Sequence, residues 1–331
     1  MRSTTDACAH SLSVGFLLAL YAVVPLSLLA VGVDIGFLRG ALGRCLPFYP
    51  ESLLWFALFF EVPHVVASSV LLLDRSYVAF YGNKLLLGGA ALLAVVIGGP
   101  HVVGNVPFAA LVTAYTMYHV VGQQCGVVRM LIGEADATFA HWKLFNIAGG
   151  TVLMVATFMA GMREEIMQAV HCDAVAIIDF VARYTTMSAT VLSILLFCKC
   201  DRRAGRQFIV AQAGLLLACH ACYLLNYPFF VFLMPRIVHD LTAFTFYIVH
   251  DQNRNSTHRV NLVQQIGERL GLPVAAVTPL AALILAYPVT CYSARGVNYP
   301  WVYYFLSAMH FFTESFTWKS QNLHRRFVRL S

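Results

Sequence analysis

The sequence predicts an all-α integral membrane protein, a bundle of about ten transmembrane helices with both termini cytoplasmic. Three observations lead there. Only 11% of the 331 residues are charged, against about 25% in a typical soluble domain. Residues of the AVILMFWYC set make up 59% and the mean hydropathy is +0.71, more apolar material than one buried core absorbs. Ten stretches reach the roughly 20 mostly apolar residues that a helix needs to cross a bilayer. The same composition excludes a secreted disulfide scaffold and a cytosolic enzyme, and a net charge of +6 is too weak for a nucleic-acid binder.

In chain order the stretches are residues 11–33, 52–73, 85–103, 106–128, 143–162, 176–198, 207–226, 229–250, 273–292 and 301–318, separated by charged or Gly/Pro-rich breaks. They fill residues 1–331 as a single polytopic membrane domain. The first follows a head with one Arg and one Asp and lacks a small-residue cleavage site, so it reads as an anchor and not a cleaved signal. The longest polar connection, 251–272, carries Arg254, His258, Arg259, Glu268 and Arg269 and has room for one short amphipathic helix. Residues 319–331 form a basic tail with Lys319, Arg325, Arg326 and Arg329, which the positive-inside rule places in the cytoplasm. With ten crossings the N-terminus shares that side. The cytoplasmic side then holds all of the Lys and Arg except Arg39, Arg44, Arg163, Arg183, Arg236 and Arg295. Most of the nine cysteines lie in apolar stretches and read as small buried hydrophobes. Cys198 and Cys200, beside a basic loop, are candidates for palmitoylation. Asn255-Ser256-Thr257 matches a glycosylation acceptor, but on the cytoplasmic side it stays bare.

An ionisable side chain near the bilayer centre costs several kcal/mol unless it is paired, ligated or facing water. Four stretches carry such residues near their midpoints: Glu61 and His64 in the second, His119 in the fourth, His239 and Asp240 in the eighth, and His310 in the tenth with Glu314 one turn on. At ~1.5 Å per residue the four histidines fall within about one helical turn of the midplane. Glu61 and His64 stand i, i+3, the Glu-x-x-His arrangement of carboxylate-bridged di-iron bundles, with Pro63 between them expected to disturb the helix ladder. His310 and Glu314 stand i, i+4 and share a face, as do His119 and Gln123. Three or four imidazoles with carboxylates nearby suit iron, copper or zinc.

The expected metal ligands are His64, His119, His239 and His310, with Glu61 and Glu314 ligating or bridging. Glu61, Asp240 and Glu314 are the candidate catalytic carboxylates, and Gln123 orients a ligand or a bound water. Arg236 and Asp240 stand i, i+4, so a salt bridge between them would place Asp240 behind the ligands. His250 lies below the His239 face and, with Asp251, is expected to line an access path from the cytoplasm. A lone intramembrane histidine is more often a helix–helix hydrogen-bond partner than a ligand, so the reading rests on all four together. His101 lies at the outer end of the third stretch, the trio Cys219, His220 and Cys222 could bind a soft metal but is expected to pack, and His10, His141, His171, His258 and His324 are expected to be solvated. Aromatic residues are dense in the eighth and tenth stretches, namely Phe244, Phe246, Tyr247, Tyr303, Tyr304, Phe305, Phe311, Phe312 and Phe316, and most of them are expected to face lipid or anchor at the interface. Those on the histidine faces would wall an apolar cavity.

A metal held by neutral imidazoles with an open position can bind dioxygen and oxidise C–H or C=C bonds. The expected function is therefore that of a membrane-embedded non-haem iron oxidoreductase or oxygenase, with one or two ions, acting on a lipid, an isoprenoid or another apolar substrate and served by an electron donor. Copper and zinc are the other candidate metals. The clustered histidine boxes of fatty-acid desaturases and alkane hydroxylases are not present. Pro63-His64 resembles the proline–histidine step of the Brp/Blh carotene-cleaving oxygenases, a resemblance that implies a histidine-ligated iron. The likeness covers that step alone, because Val65-Val66-Ala67-Ser68 stands where their Gly-Ala-Leu-Asp is expected, and it assigns no family. Two other classes compete. Two histidines on facing helices can hold a b-type haem for electron transfer. Alternatively, Glu61, His239, Asp240 and Arg236 can form the relay of a proton, metal or solute transporter, although the two halves show no internal repeat.

Overall fold

The computed structural model describes residues 10–133, 136–161, 172–294, 300–319, 322 and 324–331. Arg2, Arg163, His171 and Arg295 lie outside the described residues. Among the described residues the chain is helical, without a strand. The principal helices are α1 (Val14–Leu38), α2 (Leu54–Leu71), α3 (Arg75–Val103), α4 (Asn105–Leu131), α5 (Ala137–Gly161), α6 (Cys172–Lys199), α7 (Arg203–Leu224), α8 (Pro228–Arg254), α9 (Leu262–Arg269), α10 (Val274–Ala294) and α11 (Pro300–Thr317). Each of the ten expected stretches corresponds to one of these, and α9 is the short helix expected in the polar connection.

Eight helices, α1, α2, α3, α5, α6, α7, α8 and α10, are long and apolar enough to cross a membrane. The other two long ones, α4 and α11, span 27 and 18 residues but are less apolar. His119, Gln123 and Gln124 in α4, and Ser307, His310, Thr313 and Glu314 in α11, bring their hydropathy down. The residues that weaken the membrane signal are largely the candidate ligands themselves.

Some edges move outward from their expected positions. Helix α3 begins at Arg75, ten residues before the expected 85, because Asp74 caps it, accepting from the Ser76 amide at 2.8 Å and the Ser76 hydroxyl at 2.6 Å. Lys84 is thereby a helical residue, its ammonium 5.8 Å from the centre of the Phe316 ring. Between α3 and α4 the break falls at Gly104, whose φ of +86° only glycine adopts without strain. Pro63 does disturb its helix: the turn before it, Ala57–Glu61, widens to a π-helical turn. A proline lacks the N–H and crowds the carbonyl four residues back, and a wide turn relieves both.

The chain divides into two compact units. Unit one comprises residues 1–16, 53–103 and 240–331 and contains α2, α3, α9, α10, α11 and the second half of α8. In it α2 packs on α10 and α11, α3 on α11, and α9 on α10. Ala67 and Leu71 of α2, Ala243 and Tyr247 of α8 and Ala282 of α10 make one buried cluster. Val62, Val66, Val70 and Ala286 make another. Outward faces stay strongly apolar: Leu86, Leu87 and Val102 of α3 are 73%, 72% and 83% exposed. At its polar end the Asn253 side chain holds the His10 backbone from both sides, 2.9 and 2.8 Å, and donates to the Phe327 carbonyl at 2.8 Å. The Leu12 and Ser331 backbones pair beside it.

Unit two comprises residues 17–52 and 104–239. Helix α5 packs on α4, α6 and α7, and α7 on α1, α4 and α6. Trp142 of α5, fully buried, donates to Ser193 of α6 at 2.8 Å. Small residues let these helices approach. A Cβ on Gly149 would lie 3.5 Å from the backbone of Thr185 and Thr186, and one on Gly150 would lie 2.7 Å from a Val121 methyl. Gly150→Leu is therefore expected to cost about 1–3 kcal/mol through overpacking, read as a lower unfolding midpoint in detergent. Gly214→Ala, where the new methyl meets open space, should leave that midpoint unchanged or higher.

Candidate functional site

In unit one the widened turn and Pro63 set the start of the regular part of α2, and from there Glu61 and His64 both point toward α11. Glu61 is 1% and His64 2% exposed. The Tyr303 hydroxyl, near the start of α11, donates to the Glu61 carboxylate. Two turns further along α11, the His310 ring meets the His64 ring edge to face, centroids 4.9 Å apart and planes at 84°. The two imidazoles offer nitrogens within 4.8 Å of each other, and His310 and Glu314 likewise offer ligand atoms within 4.8 Å. Nδ1 of His64 lies 3.2 Å from the Phe60 carbonyl and 3.4 Å from an Asp240 carboxylate oxygen. Tyr247, one helical face down from Asp240, donates to the Glu314 carboxylate and sits 3.5 Å from Nδ1 of His310.

Unit two carries the other pair. His119 of α4 and His239 of α8 meet edge to face, centroids 5.0 Å apart and planes at 85°. Gln123, half-buried, is 3.5 Å from the Gln124 amide. Gln124 in turn, with Gln212, is fixed by the Tyr21 hydroxyl at 3.1 Å to each. Arg236 forms an ion pair with Glu51, an acid that sequence reasoning did not single out because it lies between the apolar stretches, in the short helix Pro50–Ser52. Asp240 pairs with His64 in unit one. Each unit thus contains two of the four expected histidines in ring contact, and His239 and Asp240 are consecutive residues of the continuous helix α8. Imidazoles with carboxylates at this spacing suit a borderline transition-metal cation.

His250 does not line an open path. It is fully buried, Nε2 2.8 Å from the Tyr77 hydroxyl and Nδ1 3.3 Å from Asp251. Asp251 in turn accepts from Gln264 at 3.1 Å and from the Thr278 hydroxyl. Asn255 is 2% exposed with its amide bonded to the Asp251 carbonyl, so the asparagine of the glycosylation motif is buried while Ser256 and Thr257 are exposed. Of the paired cysteines, Cys198 is exposed and Cys200 buried.

Two expectations are corrected. Of the nine aromatic residues, Phe244, Tyr303, Tyr304, Phe305 and Phe312 are half-buried, but Phe246, Tyr247, Phe311 and Phe316 do not face lipid, each buried at 8% exposure or less. The polar residues sharing their helices require a dry, packed surrounding, and these rings supply it. His324, expected in solvent, is 1% exposed, stacked on Tyr77 at 3.8 Å and on His250 at 5.1 Å. His10 and His258 are exposed, as is His141.

The residues sequence reasoning missed are Tyr303 and Tyr247 as carboxylate donors. A signal existed: Tyr303 stands seven residues before His310 and Tyr247 seven after Asp240, two helical turns and so the same face.

No known protein family, no curated protein and no solved structure matches the chain. The chemistry of the site alone carries the functional argument.

Burial pushes the His324 imidazole down to about 2, with the neighbouring His250 and Arg254 adding to it. In an undocked tail the same ring protonates near 6.5. Between those values undocking takes up a proton, so docking weakens as pH falls below about 6.5 and is unaffected above it. Limited proteolysis of the tail should accelerate between about pH 7.5 and pH 5, and His324→Phe, which keeps the stacking, should remove that acceleration. Equal rates at both pH values in the unaltered chain would mean that the buried ring does not control docking.

Proposed function

We propose that the chain is an integral membrane protein of ten crossings with cytoplasmic termini, and that it is a histidine-ligated metal oxidoreductase, with iron as the metal, acting on an apolar substrate. The observation that carries the reading is the paired, buried imidazoles: His64 with His310, carboxylates on both sides, and His119 with His239. Burying one imidazole costs little if a neighbour takes its hydrogen bond. Burying two against each other, with ionisable carboxylates in the same apolar region, has a physical rationale when a cation balances them. The exposed apolar faces of α3 and its neighbours support the membrane reading, since no soluble surface of that composition persists.

In this proposal His64 and His310 supply nitrogen ligands within unit one, and His119 and His239 within unit two. Glu314 and Glu61 are the oxygen ligands. When bound, the metal supplies dioxygen activation and oxidation of C–H or C=C bonds. The chain's own contribution is definable without it. Tyr303 and Tyr247 fix the orientation of Glu61 and Glu314 by donating to their carboxylates. The Phe60 carbonyl holds Nδ1 of His64 at 3.2 Å, with Asp240 beside it at 3.4 Å, so Nε2 would be the ligating nitrogen. The buried rings around Tyr247 and Phe311 exclude water. The substrate is a lipid, an isoprenoid or a similar apolar molecule, because access to such a site is through hydrocarbon.

The test is metal analysis of the detergent-purified chain. His64→Ala, His119→Ala, His239→Ala and His310→Ala should each lose most of the bound iron, whereas His141→Ala and His258→Ala should retain it. A Soret band in the purified chain would select haem instead, and iron content unchanged in the four variants would overturn the reading.

A further inference from the structure

Four helices of unit two end together. Helices α4 and α6 finish, at Leu131 and Lys199, on the side where α5 and α7 begin, at Ala137 and Arg203, and the four pack on one another. The two connections lie against each other there. A Cβ on Gly205, in the first turn of α7, would fall 3.3 Å from the Leu131 carbonyl and 3.2 Å from an Ile132 methyl. This end of the unit is rich in cations: Arg129, Lys143, Lys199, Arg202, Arg203 and Arg206.

Two of them are already engaged. The Lys199 ammonium lies 2.9 Å from the Asp136 carboxylate and 2.6 Å from the Thr138 hydroxyl. Arg206 donates from Nε to the Cys200 carbonyl at 2.5 Å, its guanidinium 5.4 Å from the centre of the Phe197 ring. Two others converge on one residue. Arg129 donates to the Gly133 carbonyl, and the Arg202 guanidinium stands 3.4 Å from where a Cβ on Gly133 would be. Arg203 follows at the start of α7. All three are exposed, and none has a carboxylate partner among the described residues. Asp201 is exposed too, and Glu134 lies outside the described residues. Guanidinium groups gathered without an anion repel one another. A phosphate turns that repulsion into attraction, because its oxygens accept parallel N–H bonds from planar forks.

The position of the patch decides what kind of phosphate it suits. Helices α5, α6 and α7 are long and apolar enough to cross a membrane, which puts their ends at the depth of the lipid headgroups. One to two turns further in, the surface is exposed and apolar: Leu144 of α5 is 61%, Ile194 of α6 60% and Val210 of α7 57% exposed. A soluble phosphate would use the guanidiniums alone, whereas a phospholipid uses both surfaces. In the proposed topology this end faces the cytoplasm, whose leaflet carries the anionic lipids.

We propose that Arg129, Arg202 and Arg203 form a binding site for the phosphate headgroup of an anionic phospholipid whose acyl chains lie on the exposed apolar flanks of α5, α6 and α7. The site rests on the membrane reading above and is independent of the metal. A lipid held there ties the end of α4 to the start of α7.

The test is native mass spectrometry of the chain in detergent, titrated with dioleoyl phosphatidylglycerol or with dioleoyl phosphatidylcholine, which has the same acyl chains and no net charge. The first phosphatidylglycerol should bind about tenfold more tightly than phosphatidylcholine. Arg202→Gln with Arg203→Gln should weaken it by about fivefold for each arginine removed, and Arg129→Gln alone by a similar factor. The Arg202 and Arg203 side chains make no hydrogen bond among the described residues, so the melting midpoint of that double variant without lipid should match the unaltered chain. Arg75→Gln with Arg269→Gln takes the same charge from exposed positions of unit one and should leave the affinity unchanged. Equal affinity for the two lipids, or an equal loss in the unit-one pair, would overturn the site. Glycerol 3-phosphate competing as well as the intact lipid would mark a soluble-phosphate site and overturn the lipid assignment. Carbonate extraction checks the membrane reading separately. Release of the chain from membranes would sink that reading, while retention in the membrane with no lipid preference would sink the site alone.

Discussion

Imidazole set against imidazole in a dry interior is the constraint around which each unit is arranged. A neutral imidazole has one donor and one acceptor nitrogen, and in water both are served for nothing. In unit one the helices bring His64 and His310 into ring contact, and in unit two His119 and His239. Neither arrangement is reached by propensity. Pro63 and the widened turn before it set the register of His64, and Gly149 and Gly150 let α5 settle against α4 and α6. These are local concessions in helix geometry, each costing order 1 kcal/mol or less in an isolated helix, and they are tolerated because packing fixes the polar side chains in return.

The carboxylates in unit one follow the same logic. Two have a donor supplied from another helix, Tyr303 for Glu61 and Tyr247 for Glu314, and Asp240 lies 3.4 Å from Nδ1 of His64. A carboxylate that accepts a bond from a rigid aromatic hydroxyl is held in one orientation, and the second oxygen is aimed as a consequence. Tyrosine suits this role in an apolar bundle because its ring packs as a hydrophobe while its hydroxyl does the polar work. The buried rings of α8 and α11 are thus a means by which those helices carry polar groups inside.

The polar end of unit one is organised differently. There Asp251, Gln264, Thr278, His250 and Tyr77 bond in sequence, Arg254 bonds Asp74 at 3.0 Å, and Asn253 ties down the His10 and Phe327 backbones. All of these partners come from connections or helix ends, which have backbone groups to satisfy. The result is a closed floor in which even His324 of the tail is enclosed, and where a path open to water would need part of that network to part.

The sequence by itself determined the all-helical character, the position of every long helix and the short helix α9, because apolar length and polar breaks are read along one dimension. It also marked His64, His119, His239, His310, Glu61, Asp240 and Glu314, since an ionisable residue in an apolar stretch is conspicuous whatever it touches. The start of α3 escaped it because a cap such as Asp74 extends a helix through charged residues that look like loop. Only the tertiary structure decided partners: that Arg236 pairs with Glu51, that His324 is buried, that Tyr303 and Tyr247 serve the two glutamates. Partner choice depends on which helix faces which, and that is set by packing between residues far apart in the chain. No periodicity within a single helix encodes it.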